Sequence, residues 1–208
     1  MEVIVVLGNV AVGKSHLTKV LMYNLHKDIV LYPEFIYDDS FAMEMLRRRF
    51  EGTVSAVTFQ NFILDKWEYY YECNKDRSGI KLFERLPDDA VKIFAKSAMD
   101  EDEYKLQKKR LEKLDLPSYK DMNKENCTWI RYENNFTKDL TPLIEKVSSV
   151  ETKYVVVEVR SETAYKNYRH RNRKEEFYTQ EQIAGLQVAY NEFCEKQIER
   201  IGCEVIAM

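Results

Sequence analysis

Glycine and proline are scarce in this 208-residue chain, which has six Gly and four Pro against the ~7% and ~5% of ordinary proteins. That excludes a collagen-like or Gly/Pro-rich disordered chain and leaves little room for long irregular loops. Cysteine is sparse too: Cys73, Cys127, Cys194 and Cys203 lie far apart, with no C-x-x-C pair to suggest zinc or redox chemistry. They read as free, mostly buried thiols in a reducing compartment. His16, His26 and His170 are isolated and suggest neither a metal nor a nucleophile. Basic residues are not in excess, since 32 Lys and Arg face 35 Asp and Glu for a formal charge of −3. That balance argues against a nucleic-acid binder working by broad phosphate neutralisation, so any anion site is local. No apolar run approaches the ~20 residues of a membrane span, and MEVIVVLGNVAVGKS lacks the basic start and cleavage site of a signal peptide. The expectation is a cytoplasmic protein without membrane or nucleic-acid partners; a homodimer is a possible assembly.

What is present is a 45% hydrophobic, 32% charged chain, enough for one domain over residues 1–208. Short apolar β-branched runs alternate with longer helical patterns, the signal for βαβ units and a parallel sheet buried on both faces. Strands are expected at Glu2–Leu7, Asp28–Tyr32, Ile80–Phe83, Tyr154–Val159 and Cys203–Ala207. Helices are expected at Lys14–Leu25, Asp39–Phe50, Val54–Cys73, Asp88–Met99, Glu101–Leu114, Glu162 to about Arg173, and Gln180–Arg200. The segment 115–150 is the least regular; Thr128–Tyr132 has strand character and Leu140–Val147 helical character, and the segment reads as a surface insertion. The fold expected is therefore α/β: a five-stranded parallel sheet with helices on both faces.

Two of the six glycines, Gly8 and Gly13, fall inside Gly8-Asn9-Val10-Ala11-Val12-Gly13-Lys14-Ser15, which fits G-x-x-x-x-G-K-[ST]. A buried strand runs into this octapeptide and a helix leaves it, as the mechanism of a phosphate loop requires. The glycines let backbone N–H groups wrap an anion, and the new helix adds its positive dipole end. Lys14 then reaches the β- and γ-phosphates of a purine nucleoside triphosphate such as ATP, and the Ser15 hydroxyl ligates Mg²⁺.

Other P-loop classes fit less well. A GTPase needs N-K-x-D, but Asn74-Lys75-Asp76 places the aspartate one residue early and Asn123-Lys124-Glu125-Asn126 lacks it. Candidate strands end in glutamate, at Glu84 and less aptly at Glu158, rather than in the aspartate of a large ATPase. Ligands of open parallel sheets gather at the carboxyl ends of strands. There lie Glu34 after the second strand and Glu84-Arg85 after the third, with Arg169, Arg171 and Arg173 at the far end of a later helix. A carboxylate, a Glu-Arg pair and an arginine cluster facing one P-loop form a phosphoryl-transfer set. Gln60, Ile63 and Trp67 share a helix face by spacing, where an amide flanked by apolar and aromatic groups suits a flat heterocycle.

These residues resemble the deoxynucleoside kinase family over most of the chain, in the right order. The resemblance implies a P-loop kinase fold with an arginine-bearing lid, and ATP-dependent phosphorylation of a deoxynucleoside 5′-hydroxyl in nucleotide salvage. Pro33-Glu34 is similar to the family's Pro-Glu, where the glutamate takes the hydroxyl proton. Thr58-Phe59-Gln60 resembles its Thr-Phe-Gln, where the amide pairs with the base edge. Glu84-Arg85 resembles its Glu-Arg-Ser, in which the glutamate serves magnesium and the arginine steadies the 5′-oxygen. Arg171-Asn172-Arg173-Lys174-Glu175-Glu176 resembles its lid, where arginines clamp ATP phosphates and the last glutamate, here Glu176, holds the 3′-hydroxyl. Ala90, counted from Glu84, matches a place that is small in family members accepting thymidine, which implies room for a 5-methyl pyrimidine.

The chain departs from the pattern at Leu86, where the family has serine; at Asn167, where the lid lacks an arginine; and at Arg49 or Phe50, where a sugar-binding tyrosine falls. Two other functions compete. A thymidylate-type monophosphate kinase needs an arginine-lined acceptor pocket, which Arg47-Arg48-Arg49 can supply. A non-catalytic nucleotide-binding module accounts for the Leu86 and Arg49 departures.

Overall fold

The computed structural model describes residues 1–25, 28–34, 39–134, 139–170 and 178–208, apart from the side chains of Asn167 and His170. Six parallel strands, rather than five, form one sheet: β1 (Val3–Leu7), β2 (Ile29–Tyr32), β3 (Ile80–Glu84), β4 (Cys127–Glu133), β5 (Tyr154–Arg160) and β6 (Val205–Ala207), in the order β2-β3-β1-β5-β4-β6. The extra strand corrects the reading of 115–150 as a surface insertion. β4 lies between β5 and β6, in register from Cys127 opposite Tyr154 to Glu133 opposite Arg160. Its pattern is interrupted by Arg131, whose guanidinium is taken up by Glu158 and Glu195.

The sheet is covered on both faces, so its central strands are apolar throughout rather than alternating. In β1, Val3, Val5 and Leu7 enter one core while Ile4 and Val6 enter the other. All five are buried, each side chain contributing about 1.5–3 kcal/mol. The helices α1 (Lys14–Asn24) and α7 (Thr141–Ser149) cover the Ile4 face, while α3 (Ala56–Asn74) and α9 (Gln180–Ile201) cover the Val3 face. The remaining helices are α2 (Ser40–Phe50), α6 (Glu101–Lys113) and the short α8 (Ala164–His170). After β3 the backbone stays helical from residue 87 to 98 but changes pitch, as α4 (Pro87–Asp89), a π-helical stretch (Ala90–Ala95) and α5 (Lys96–Ala98). π-Bulges are frequent at functional sites, and this one forms a wall of the cavity described below. Among the described residues, no helix is long and apolar enough to cross a membrane. The four cysteines are unpaired, Cys73 exposed and the other three buried.

Candidate active site

The site is built where β1 ends between β3 and β5. Gly8 and Gly13 have φ of 145° and 98°, left-handed geometry that costs a side-chain-bearing residue steric energy. A Cβ on Gly8 would lie 2.3 Å from the Val159 carbonyl oxygen. Gly13 caps α1, whose first turn contains no acidic residue, leaving its positive dipole end uncompensated by carboxylates of its own turn. Lys14 Nζ donates to the Asn9 carbonyl at 2.7 Å, buried across the loop it closes.

The loop is braced from outside. The Asn9 amide donates to Ile183 O (2.9 Å) and Gln187 Oε1 (3.2 Å) on α9, and its own Oδ1 accepts from Val10 N–H (2.7 Å). Asn134, at the end of β4, donates to Val12 O at 2.7 Å. Val10, Ala11 and Val12 are buried, Ala11 at φ 61°. No local motif in the sequence points to Asn134, because its partner is reached only through the sheet.

Ser15 Oγ donates to Glu84 Oε1 at 2.7 Å. Two hard oxygen donors this close match neighbouring positions around Mg²⁺, whose ~2.1 Å bonds set ligands ~3 Å apart. Burial raises the Glu84 pKa, and the Glu34 carboxylate adds to this, while Lys14, Ser15 and Arg85 pull it back. The other strand-end candidate, Glu158, is committed elsewhere: Trp129 Nε1 donates to it at 2.8 Å, and Arg131 and Arg160 flank it.

Arg85 follows β3 in a left-handed conformation, φ 69°, with its N–H on Val6 O at 3.0 Å. That conformation costs about 1–2 kcal/mol outside glycine. Its buried guanidinium pairs with Glu34, donates to Gly8 O at 3.1 Å, and lies over the rings of Phe94 and Tyr190 at 5.0 and 5.6 Å. Burial opposes the charge, but Glu34, Tyr190, Glu84 and Asp89 outweigh it and keep the group cationic. Among the described residues its Nε has no hydrogen-bond partner.

The Glu34–Arg85 pair opens into a cavity of about 640 Å³. Gln60, Ile63 and Trp67 from α3 line it, as expected from their shared face, together with Ala90 and Phe94 from the π-helical stretch. Gln60 is 4% exposed, and its Nε2 has no partner among the described residues, a buried donor with an unmet bond. Arg49, Phe50, Tyr178, Gln182 and Gly185 form another wall, and Phe50 packs edge-on against Tyr178 at 5.1 Å. Gly185, in mid-helix, has open space where a Cβ would stand, so the missing side chain enlarges the cavity. Of the arginine run, Arg47 is tied to Glu44 and Glu51, Arg48 is exposed, and Arg49 alone reaches the cavity. Arg169 is exposed on α8 and does not line it; Arg171, Arg173 and Glu176 lie outside the described residues.

Behind Arg85, Asp89 is fully buried and accepts from Leu86 N–H at 2.7 Å and from Tyr119 OH at 3.3 Å. Burial pushes its pKa up to about 7, against the pull of the Leu86 N–H and Arg85. Between pH ~4 and ~7 the folded state therefore keeps a proton that the unfolded chain has released. Stability from this group falls as pH rises through that window and levels off above it. Asp89→Asn should gain stability relative to the parent between pH 5 and 8, on the order of a few kcal/mol. Urea unfolding at several pH values measures this, and a pH-independent difference would count against the assignment.

No curated protein matches the sequence. Among solved structures, the chain is similar to a deoxyadenosine kinase from M. mycoides determined with bound dATP. The two share 15% identity at a TM-score of 0.59, over 99% of this chain and 90% of that one, which shows a common fold. The family model for deoxynucleoside kinase matches residues 4–201, from the strand before the phosphate loop to the end of α9. The chain belongs to the deoxynucleoside kinase family.

Proposed function

We propose that the protein transfers the γ-phosphoryl group of ATP to the 5′-hydroxyl of a deoxynucleoside, with a preference for pyrimidines. The observation that carries this reading is one cavity with a carboxylate–guanidinium pair against the phosphate loop and an unpartnered buried amide at Gln60. Phosphoryl transfer asks the protein mainly for positioning and charge neutralisation. Lys14 leaves the Asn9 carbonyl to meet the β- and γ-phosphates, and Arg171 and Arg173 help to neutralise them. Ser15 and Glu84 hold Mg²⁺, which when bound spreads the charge that develops on the phosphoryl oxygens. Glu34 takes the proton of the 5′-hydroxyl while Arg85 steadies the oxygen. Glu176 holds the sugar 3′-hydroxyl.

Gln60 reads the base edge, with Ile63, Trp67 and Phe94 as its apolar surround. Gln60→Leu should raise the acceptor KM ~10- to 100-fold, the ~1–3 kcal/mol of a buried hydrogen bond, and leave ATP affinity alone; an unchanged KM would remove Gln60 from recognition. Ala90, small and set in the π-helical wall, leaves space beside the base for a 5-methyl group. The deciding experiment is labelled phosphate transfer from ATP across nucleosides and their 5′-monophosphates. A strong purine preference would overturn the pyrimidine reading. The second reading, a monophosphate kinase, draws on Arg49 at the cavity wall; transfer to monophosphates but not to nucleosides would favour it.

A further inference from the structure

Leu86 is buried and apolar, so the helix after β3 begins without a hydroxyl or carboxylate at its N-cap. Its first N–H groups need another partner. One comes from within the helix: the Asp89 carboxylate reaches back to Leu86 N–H at 2.7 Å. That bond closes the turn immediately after Arg85, the residue held at φ 69°. Asp89 is in turn fixed by Tyr119 OH, from the segment leading into β4. Its neighbour Asp88 is engaged separately, with Lys92 and with Ser118 Oγ at 3.2 Å.

We infer that Asp89 is the positioning residue for Arg85, its side chain holding the left-handed turn that aims the guanidinium at Glu34 and the cavity. An isolated left-handed arginine relaxes toward ordinary backbone geometry unless its surroundings over-determine it. On one side the backbone is pinned by Arg85 N–H on Val6 O. On the other it is pinned by Leu86 N–H on Asp89. Without the second restraint the turn relaxes, and the guanidinium moves relative to the acceptor oxygen. The turn after Arg85 is therefore restrained even though residue 86 carries no polar side chain.

The inference rests on the proposed role of Arg85, and a double-mutant cycle separates the two. Asp89→Leu removes the acceptor while keeping the branched shape; Asp89→Ala, which adds no bulk, is the second route should the larger leucine fail to fold. Turnover with saturating nucleoside is expected to fall at least tenfold in the folded variant, with affinity for a non-hydrolysable ATP analogue within twofold of the parent. Asp89→Asn, which keeps an acceptor oxygen, should recover most of the lost turnover. Adding the Asp89 change to Arg85→Ala should cost no more than a further twofold, because the two act through one group. Multiplicative losses would assign Asp89 a purely structural role and overturn the inference. So would near-parental turnover of the Asp89 variant beside a crippled Arg85→Ala, with the role of Arg85 standing. An unaffected Arg85→Ala would overturn both.

Discussion

Glu34→Gln is expected to lower turnover by roughly 10²–10⁴-fold, the usual contribution of a positioned general base, with ATP-analogue binding nearly unchanged. The amide keeps the size of the side chain but cannot take the hydroxyl proton, and it loses the charge that pairs with Arg85. Binding should survive because the proposed nucleotide contacts are made by the phosphate loop and Lys14, not by Glu34. The substitution also relieves a repulsion. Glu34 is a principal neighbour raising the Glu84 pKa, so in Glu34→Gln that pKa falls and Glu84 ionises at lower pH. Single-turnover kinetics beside analogue titration distinguishes the outcomes. Turnover within threefold of the parent would take Glu34 out of the chemistry.

Gly8→Ala should be as damaging by a different route. The new methyl would stand 2.3 Å from a backbone carbonyl of β5, at a φ of 145° that side-chain-bearing residues avoid. Neither the strand nor the loop can yield cheaply, since β5 pairs with both β1 and β4. The expected cost is roughly 2–6 kcal/mol of strain and overpacking. For a chain of this size that lowers Tm by about 5–20 °C. Nucleotide binding should fall below detection as the loop is pushed off its anion-binding geometry. Calorimetry with and without ATP measures both effects, and a parental Tm with normal ATP binding would contradict the loop's placement.

The parts of the site legible in the sequence are those whose chemistry is local. Gly8 to Ser15 declares itself because every residue of the cradle is contiguous, and Gln60, Ile63 and Trp67 because helical spacing alone sets their shared face. Strand ends mark Glu34 and Arg85, yet that they would pair with each other is visible only once β2 and β3 are adjacent. The strand character of Thr128–Tyr132 is legible, but not its place inside the sheet: Arg131 is a charged residue whose partners, Glu158 and Glu195, lie on other elements. Asp89 looks like any acid in the first turn of a helix. It is fully buried and accepts from Tyr119, which lies in the segment that reads as peripheral. Tyr190 follows Ile183 and Leu186 at core spacing, and nothing in that pattern says a guanidinium lies against its ring.

The position of β1 has a consequence for folding. Its two neighbours are β3 and β5, with Val3 opposite Lys81 on one side and Tyr154 on the other. The Asn9 strut waits longer still, for Ile183 and Gln187. The phosphate-loop motif is contiguous at residues 8–15, but its Asn9 support exists only once α9, residues 180–201, is docked. Such long-range closure is slow and comes late. Nucleotide affinity is therefore expected to depend on α9 being in place, and retention on immobilised ATP should distinguish chains with α9 docked from those without it.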